Sequence, residues 1–413
     1  MLARNGTVTC PYLALQTLRL LMRIAFVSSH LPRRCGLATF SADLMAAVTS
    51  ADPNTVVCRV AAIQQPHEPR PNDSVVRWRI RQGKASSYEA AALAINMSDI
   101  DVVNVQHEFG LYGTWTDGEY QDHLGVFLAA LRKPVTTTLH SVPPDPPPSM
   151  REAIRGAAGL SDAVVVMAET AVNVLADHYG ISQRPEVIPH GMPPIDPGVH
   201  VPMRDRLGLA GRTVLSTFGF VDPRKGLEYM IEAMPAVVVN HPNALYLIAG
   251  QTHPDLRRQH GEQYRNELIQ RVERFGMQRH ISFIDSFMTQ REIIDLLVAS
   301  DIYVTPYLDP KQITSGTLAY ALGAGRAIVS TNYLHAKEAL ADGRGILVDP
   351  KDPRQLAESV GSLLGHPDRR HSLELRSYSY AKNMTWPKAG QRWLELMSRI
   401  VSRCGYRSKR PAA

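Results

Sequence analysis

The sequence predicts an α/β protein built from two parallel-sheet domains that face each other across a cleft. Its 413 residues exceed what one ordinary core needs, and about two domains are expected at this length. Short apolar runs alternate with segments of helical periodicity, which is typical of βαβ units. This alternation occurs once before and once after a segment rich in glycine and proline, residues 191–198. We therefore place a domain linker there.

Apolar runs predict the strands of the first half, because parallel strands that are covered on both faces read as continuous apolar stretches. The predicted strands are residues 24–28, 56–63, 102–106, 135–139, 163–167 and 186–189. The predicted helices between them are residues 41–49, 86–96, 120–131 and 168–178. A proline-rich loop, residues 143–148, follows one of these strands and is either a rigid connector or a ligand contact.

The second half repeats this plan. Its predicted strands are residues 213–220, 244–249, 281–284, 302–305, 327–330 and 346–348. Its predicted helices are residues 227–239, 264–275, 290–299 and 317–323. Residues 353–401 have helical spacing around a break at Pro387, and such a terminal helix can pack back on the first domain.

These patterns divide the chain into five parts. Met22 and the apolar run after it read as a natural start, so residues 1–21 are an extension, which lacks the cleavage site of a signal peptide. The other predicted parts are an N-terminal domain at 22–191, a linker at 192–211, a C-terminal domain at 212–385, and a C-terminal helix with a basic tail at 386–413.

Composition excludes several classes of protein. Lys and Arg number 45 against 39 Asp and Glu, and this excess of +6 is spread along the chain, which does not indicate a nucleic-acid binder. Residues 403–410 are locally basic and leave a peripheral membrane contact open. The 4 cysteines lie far apart, which favours a reducing, cytoplasmic location and predicts neither disulfides nor a zinc site. No apolar run is long enough to span a bilayer.

Several common catalytic motifs are absent from the sequence. It contains no G-x-x-x-x-G-K-[ST] phosphate loop, no G-x-S-x-G nucleophile elbow and no H-E-x-x-H metal helix. The glycines at 323 and 325 follow a predicted helix and precede a strand, the reverse of the dinucleotide-binding context. These absences argue against NAD chemistry and ATP hydrolysis.

The first domain offers a glycine and two histidines at its predicted strand ends. Gly36 precedes a helix, where it allows backbone N–H groups to approach an anion or simply forms a turn. His107 and His140 each end a strand, where side chains project into the crevice above a parallel sheet or act as structural hydrogen-bonding residues. Glu108 beside them is either a base or a residue that orients its loop.

The second domain offers two groups that suit an anionic ligand. Arg224 and Lys225 lie in a turn at a helix entrance, and this pair either neutralises a diphosphate or is solvated. The segment 312–325 places the hydroxyls and amides of residues 314–316 at another helix start, a second anion cradle. Tyr320 shares a helical face with Gly316, where its ring stacks on a base or packs in the core.

Taken together, these segments resemble the family 4 retaining glycosyltransferases of the GT-B fold. The similarity covers residues 22–400, and its motifs are weak singly but specific as an ordered set. The motifs in the family's order are Gly36, His107-Glu108, Thr137-x-x-His140, Val187-Ile188-Pro189-His190-Gly191, Lys225-Gly226 and Ser315-Gly316.

The resemblance implies a fold and a role for each matching residue. Two Rossmann-like domains close over a nucleotide sugar, which lies mainly on the C-terminal domain, with the acceptor mainly on the N-terminal one. Lys225 neutralises the leaving diphosphate, His140 contacts the donor sugar near the reacting carbon, and Gly36 approaches the diphosphate or the acceptor. The implied residues are Lys225, His140 and Arg224 as catalytic, Gly36, Gln312, Thr314, Ser315, Gly316, Thr317 and Tyr320 on the donor side, and His107 and Glu108 on the acceptor side.

The chain departs from the family at three positions. The family's two glutamates fall on Gln312 and Tyr320, and its frequent Gly-Arg turn reads Gly219-Phe220. Gln312 still forms hydrogen bonds but is no carboxylate base or nucleophile. Tyr320 stands where the family usually has a glutamate that binds the ribose, and bacterial glycogen synthases resemble this chain in having tyrosine there. Arg224 is a candidate substitute for the missing arginine.

The sequence therefore predicts transfer of a hexosyl group from a nucleoside-diphosphate sugar to an acceptor hydroxyl, with retention and without a metal or cofactor. Cations and helix N-termini supply the positive charge in this reading. A phosphorylase or a sugar-nucleotide epimerase on the same frame remains an alternative. Because Gln312 and Phe220 depart from the family, a catalytically silent nucleotide-sugar-binding module is another.

Overall fold

The computed structural model describes residues 21–407 except 67, 69, 70 and 72, and it describes no side chains for 405–407. Residues 1–20 of the predicted extension and 408–413 of the basic tail therefore lie outside the described residues, as does Cys10. Among the described helices, none combines the length and the apolar character needed to cross a membrane.

Seven parallel strands form the sheet of the first half, which we call the N-lobe, in the order β3-β2-β1-β4-β7-β8-β9. Two further strands form a separate antiparallel hairpin. The strands are β1 Met22–Ser28, β2 Val56–Gln64, β3 Val76–Arg81, β4 Val102–His107, β5 Gly113–Thr116, β6 Glu119–Asp122, β7 Val135–Leu139, β8 Ala163–Val166 and β9 Glu186–Val187. Their helices are α1 Gly36–Ala51, α2 Ala85–Asn96, α3 Phe109–Tyr112, α4 Leu124–Ala130, α5 Pro148–Gly159 and α6 Glu169–Tyr179.

Six parallel strands form the sheet of the second half, the C-lobe, in the order β12-β11-β10-β13-β14-β15. The strands are β10 Thr213–Phe218, β11 Ala244–Ala249, β12 Ile281–Ile284, β13 Ile302–Thr305, β14 Ala327–Thr331 and β15 Ile346–Val348. The helices are α7 His200–Arg206, α8 Leu227–Asn240, α9 Pro254–His260, α10 Gln263–Arg274, α11 Gln290–Ala299, α12 Gly316–Gly323, α13 Leu334–Ala339, α14 Pro353–Gly365, α15 Pro367–Ala381 and α16 Trp386–Arg407.

Both sheets are parallel and lie between helices, so the predicted α/β class with two parallel-sheet domains is confirmed. The interior strands β4 and β11 are buried along their whole length. The sequence of β11 is apolar throughout except for the hydroxyl of Tyr246, whereas β4 also buries Asn104, Gln106 and His107. The C-terminal helix α16 returns to the N-lobe, where Trp393 and Met397 share a core with Phe26 and Leu44. This confirms that the terminal helix packs back on the first domain.

The predicted helix at residues 120–131 is wrong at its beginning. Tyr120 lies in β6, paired with Trp115, and its hydroxyl donates to the carbonyl of Phe109 at 3.1 Å. The Asp122 carboxylate then accepts from the backbone N–H of Leu124 at 3.1 Å and of Gly125 at 2.7 Å, which starts α4 after the strand. The edge strand β3 and the helix α5 were not predicted, because their apolar residues alternate with arginine or are too sparse to form a run.

Candidate active site

A cleft between the lobes lies at the carboxyl ends of the strands of both sheets. It contains two adjoining cavities, which we call the wide cavity, with a volume of about 1210 Å³, and the narrow cavity, of about 720 Å³. Open parallel sheets bind ligands at this edge. The residues that line both cavities are Gly36, Phe40, Glu108, His190, Arg224, Gln251, His253, Gly316 and Thr317.

Gly36 is the first residue of α1 and lines both cavities. A Cβ atom added to it would meet no other atom within 4 Å, so the space in front of its backbone is open to a ligand. Before it, the Sγ of Cys35 caps the helix by accepting from the N–H of Ala38 at 3.3 Å. Nearby Arg34 reaches across the cleft, where it donates to the Oε1 of Gln251 at 3.4 Å.

His140 is held by a buried row of amide and hydroxyl side chains. Its Nε2 lies 2.8 Å from the Oε1 of Gln106, whose amide nitrogen donates to Asn104 and to Thr138. Because the Gln106 oxygen is the acceptor in this network, the proton of His140 is assigned to Nε2, and Nδ1 is left as an acceptor. Burial lowers the pKa of His140 to about 3, so the ring is neutral at pH 7. The ring lines the wide cavity and can accept a hydrogen bond from a ligand hydroxyl.

His107 is placed away from the cavities, which corrects the expectation that its side chain reaches a ligand. It is fully buried, with its ring stacked on Tyr112 at 5.8 Å and edge-on to Phe109 at 4.9 Å. Neither ring nitrogen has a hydrogen-bond partner among the described residues. Burial lowers the pKa of His107 to about 3, and the neutral ring is therefore a core residue.

Glu108 lines both cavities, but its carboxylate is already engaged. Its Oε1 accepts from the N–H of Phe109 at 3.1 Å, which caps α3, and its Oε2 accepts from Ser141 at 2.6 Å. Burial raises the pKa of Glu108. These bonds favour the reading in which Glu108 orients its own loop and the loop after β7.

The turn after β10 places its two cations in different surroundings. The guanidinium of Arg224 donates to both carboxylate oxygens of Asp222, and this pairing raises the pKa of Arg224. Lys225 has no carboxylate within ion-pair distance among the described residues, and its Nζ lies 3.7 Å from the centre of the Tyr307 ring. Both line the narrow cavity. Lys225 is therefore the cation there whose charge is left for a ligand.

Gly226 fixes this turn against the end of β13. Its φ of +59° is in the left-handed region that favours glycine, and a Cβ atom there would collide with the carbonyl oxygen of Pro306 and lie 2.8 Å from the Leu308 side chain. The ring of Tyr307 lies under Lys225, and the Tyr307 hydroxyl shares a hydrogen bond with the hydroxyl of Thr317 at 2.8 Å. Tyr307 therefore connects Lys225 to the first turn of α12, and the two lie next to each other.

Residues 314–317 divide between the cavities and the helix cap. Gly316 and Thr317 line both cavities, and Thr314 lines the wide one. Ser315 is buried and caps α12, because its Oγ accepts from the N–H of Leu318 at 3.3 Å. The expectation that the Ser315 hydroxyl holds phosphate is corrected, because Ser315 lines neither cavity and its side chain caps the helix. Gln312 lines the wide cavity and donates to the carbonyl of Thr314 at 2.9 Å.

Tyr320 lines the narrow cavity, and its hydroxyl accepts from the Nε2 of Gln290 at 3.1 Å. Its ring is buried and packs edge-on against Phe218 at 6.2 Å, so the ring belongs to the core rather than to a stacking surface. Burial raises the pKa of Tyr320 to about 12. The hydroxyl is therefore a neutral hydrogen-bonding group at the cavity wall.

Sequence reasoning missed two parts of this cleft. His190 lines both cavities, and its Nε2 would lie 2.7 Å from a Cβ atom on Gly316, yet we used its motif only as a family marker. The segment 286–290 forms one wall of the narrow cavity, and nothing in its residue types signals a ligand. Among the described residues, no group of three or more His, Cys, Asp and Glu side chains could hold a metal ion.

The fold defines the class of this protein, which is the two-lobed GT-B architecture. HepE of Anabaena, solved with UDP and glucose, superposes with a TM-score of 0.69 at 16% identity, over 92% of this chain and 100% of that one. Sucrose-phosphate synthase of Thermosynechococcus elongatus superposes with a TM-score of 0.71 at 15% identity, over 92% and 100%. At such identities the likeness establishes the fold.

Two family models match the chain, one in each lobe. Residues 36–194 match Glycosyltransferase Family 4, and residues 212–366 match Glycosyl transferases group 1. The chain belongs to this family of glycosyltransferases, and the resemblance seen in its sequence is confirmed.

Curated relatives match this chain only in part. Spore coat protein SA of Bacillus subtilis is 26% identical over 200 residues, which are 47% of this chain and 51% of that protein. The GDP-mannose-dependent alpha-(1-6)-phosphatidylinositol monomannoside mannosyltransferase of Mycolicibacterium smegmatis is 26% identical over 263 residues, 61% and 66% of the two chains. The chain thus spans about half to two thirds of the length of these relatives.

Proposed function

We propose that this protein transfers a hexosyl group from a nucleoside-diphosphate sugar to an acceptor hydroxyl, with retention at the anomeric carbon. One observation carries the proposal: Lys225, the first turn of α12 and the start of α1 all line the narrow cavity. An ammonium group and two helix N-termini suit a diphosphate, whose negative charge grows as it leaves. The wide cavity, lined by His140, then takes the transferred sugar and the acceptor.

The reaction needs no nucleophile from the enzyme. Gln312 is an amide, and both carboxylate oxygens of Glu108 are engaged with Phe109 and Ser141. The acceptor hydroxyl attacks the anomeric carbon on the face from which the diphosphate departs. The bond from that carbon to the phosphate oxygen breaks, the bond to the acceptor oxygen forms, and the departing oxygen takes the proton. His140 accepts a hydrogen bond from a sugar hydroxyl through Nδ1.

Charge stabilisation in this proposal comes from the protein. Lys225 and the helix N-termini face the leaving group, and Arg224 adds a cation that Asp222 holds in place. The proposed enzyme therefore needs no metal ion or cofactor, and activity that persists in EDTA is the expected result. Its proposed location is the cytoplasm. A hydroxyl-bearing carbohydrate or lipid headgroup is the proposed acceptor class.

The donor is identified first by binding. Thermal shifts are measured with UDP, GDP and ADP and with their sugar conjugates, since one relative is named for GDP-mannose and HepE was solved with UDP. The expected result is stabilisation by one base and its sugar conjugate, followed by product formation on an acceptor panel. Stabilisation without any product across that panel would instead indicate a silent binding module.

Lys225→Ala tests the catalytic assignment. Loss of one charge-stabilising group at a leaving diphosphate lowers kcat by about 10²–10³-fold. The matched control is Lys337→Ala, which removes an exposed lysine from α13 and leaves turnover unchanged. Wild-type turnover by Lys225→Ala would refute the assignment. If kcat falls and both variants have equal thermal stability, misfolding is not the cause of the lower kcat.

A further inference from the structure

The narrow cavity contains a carboxylate that has no role in the proposed transfer reaction. Asp43 lies on α1 of the N-lobe and reaches the C-lobe, where its Oδ2 accepts from the Nε2 of Gln290 at 3.2 Å. The same Gln290 nitrogen also donates to the hydroxyl of Tyr320 at 3.1 Å. Side chains from α1, α11 and α12 therefore converge on one point of the cavity wall.

Asp43 differs from the other carboxylates that line this cavity. Asp222 is paired with Arg224, and Glu108 caps a helix and binds Ser141. Asp43 has no cation within ion-pair distance among the described residues, and burial raises its pKa to about 6. It is thus ionised at pH 7 but poorly solvated. A carboxylate accepts about four hydrogen bonds, so Asp43 retains sites for further donors.

The position of Asp43 along α12 matches the shape of a nucleoside diphosphate. Gly316 and Thr317 begin the helix beside Lys225, which is the end of the cavity that suits phosphate. Tyr320 follows Thr317 by about one helical turn, or ~5 Å along the axis. A ribose spans a comparable distance between its phosphate and its diol. The carboxylate at the Tyr320 hydroxyl therefore lies where the hydroxyls of a bound ribose would point.

One part of the wall of the narrow cavity is apolar and aromatic. Phe220 and Phe287 pack together with ring centres 5.9 Å apart, and Met288 lies beside them. Such a surface suits the face of a nucleobase. Phosphate, ribose and base can thus be accommodated in order, with Asp43 as the carboxylate nearest to the ribose position.

We propose that Asp43 binds the ribose hydroxyls of the donor nucleotide from the N-lobe side of the narrow cavity. This specificity role rests on the proposed function, because it concerns the same nucleotide site. A ribose held in this way contacts both lobes, so the hydroxyls contribute to affinity only where the lobes are closed over the nucleotide.

The test compares ribonucleotide with deoxynucleotide. The nucleoside diphosphate selected by the thermal-shift screen and its 2′,3′-dideoxy counterpart are titrated by calorimetry into wild type and Asp43→Asn. Hydrogen bonds to a charged group contribute about 1.5–3 kcal/mol, so wild type is expected to favour the ribonucleotide by roughly 10–100-fold. Asp43→Asn is expected to bind the dideoxynucleotide like wild type and to lose most of this preference.

The control and the alternative outcomes separate this role from others. Asp177→Asn removes an exposed carboxylate on α6 and leaves the preference unchanged. If Asp43 only latches the lobes, Asp43→Asn weakens both nucleotides equally and the ratio persists, which overturns the proposal. If no nucleoside diphosphate binds wild type, the proposed function itself fails. Equal melting temperatures of wild type and variant exclude misfolding.

Discussion

At the scale of single residues, pairing decides which charges remain for a ligand. Arg224 and Lys225 are adjacent, yet Arg224 is bound by Asp222 while the Nζ of Lys225 lies over the Tyr307 ring. An ammonium over an aromatic face keeps its charge, because the ring attracts it without neutralising it. His107 and His140 show the same division: one ring is enclosed by Tyr112 and Phe109, while the other reaches the wide cavity.

Gly36→Ala tests the open space at the start of α1. The added methyl meets no protein atom within 4 Å, so the free protein is expected to be as stable as wild type or about 0.4–1 kcal/mol more stable. If a phosphate or acceptor approaches this backbone, the methyl blocks it, and nucleotide-sugar affinity or turnover falls at least about tenfold, which is a cost of 1.4 kcal/mol or more. Calorimetry and steady-state kinetics measure the two effects.

Gly156→Ala is the matched control for this variant. Gly156 lies in α5, away from the cleft, and its added Cβ also meets nothing within 4 Å. It is expected to gain stability and to keep wild-type binding. Unchanged donor and acceptor kinetics in Gly36→Ala would show that no ligand approaches this glycine.

At the scale of elements, helix caps decide what the loops of the cleft can present. Ser315 satisfies the N–H of Leu318, and Asp222 satisfies the N–H of Arg224 at 2.9 Å, so both side chains stabilise their own turns. The remaining N–H groups of the first helical turn lack partners in the helix and point out of it. The groups of α12 that line the cavities are therefore at Gly316 and Thr317 rather than at the capping hydroxyl of Ser315.

The terminal helix α16 is an element whose position depends on one close approach. Gly390 faces α1, and a Cβ atom there would lie 2.5 Å from the carbonyl carbon of Ala47. Gly390→Ala is expected to lower the free energy of unfolding by about 1–3 kcal/mol, because neither backbone can move without disturbing the shared core. Urea denaturation followed by tryptophan fluorescence measures the change.

Gly361→Ala provides the comparison. Gly361 lies on α14, where the nearest atom to an added Cβ is the Nε2 of His241 at 4.0 Å. This variant is expected to gain up to about 1 kcal/mol from helix propensity. A Gly390→Ala protein as stable as Gly361→Ala would contradict the close packing of α16 on α1.

At the scale of the whole molecule, a few polar contacts join the two lobes around the cleft. Lys311 pairs with Asp145 at 2.9 Å, and Gln290 donates to Asp43 at 3.2 Å. A third contact is a helix cap, in which a side chain of the C-lobe binds the first N–H groups of a helix in the N-lobe. The Glu338 carboxylate of α13 accepts from the N–H of Glu169 at 2.9 Å and of Thr170 at 2.7 Å, at the start of α6.

Glu338→Ala is expected to loosen this arrangement. The residue before α6 is Ala168, which cannot cap the helix itself, so removing the carboxylate leaves its N–H groups to water. Loss of a capping side chain costs about 0.5–2 kcal/mol. We expect a lower unfolding midpoint and a larger radius of gyration by small-angle X-ray scattering, restored when nucleotide sugar binds.

The control for this variant is Glu358→Ala on α14, whose carboxylate pairs only with Arg354 on the same helix in the described structure. An exposed pair of this kind contributes about 0.3–0.5 kcal/mol, so the scattering profile is expected to stay that of wild type. A Glu338→Ala protein with wild-type dimensions and stability would show that the cross-lobe cap does not hold the lobes.

Sequence patterns alone predict the two parallel sheets and the family, and they mark Gly36, Lys225 and the start of α12 as candidate site residues. Apolar periodicity and helix-start signals are local, so they can be recognised without knowing the tertiary contacts of each residue. Tertiary packing determines that the Ser315 side chain caps its helix and that the His107 ring is buried in the core. It also brought Asp43 to Gln290, 247 positions away in the chain. The direction of a side chain and its long-range partners depend on how the lobes pack, which no local pattern encodes.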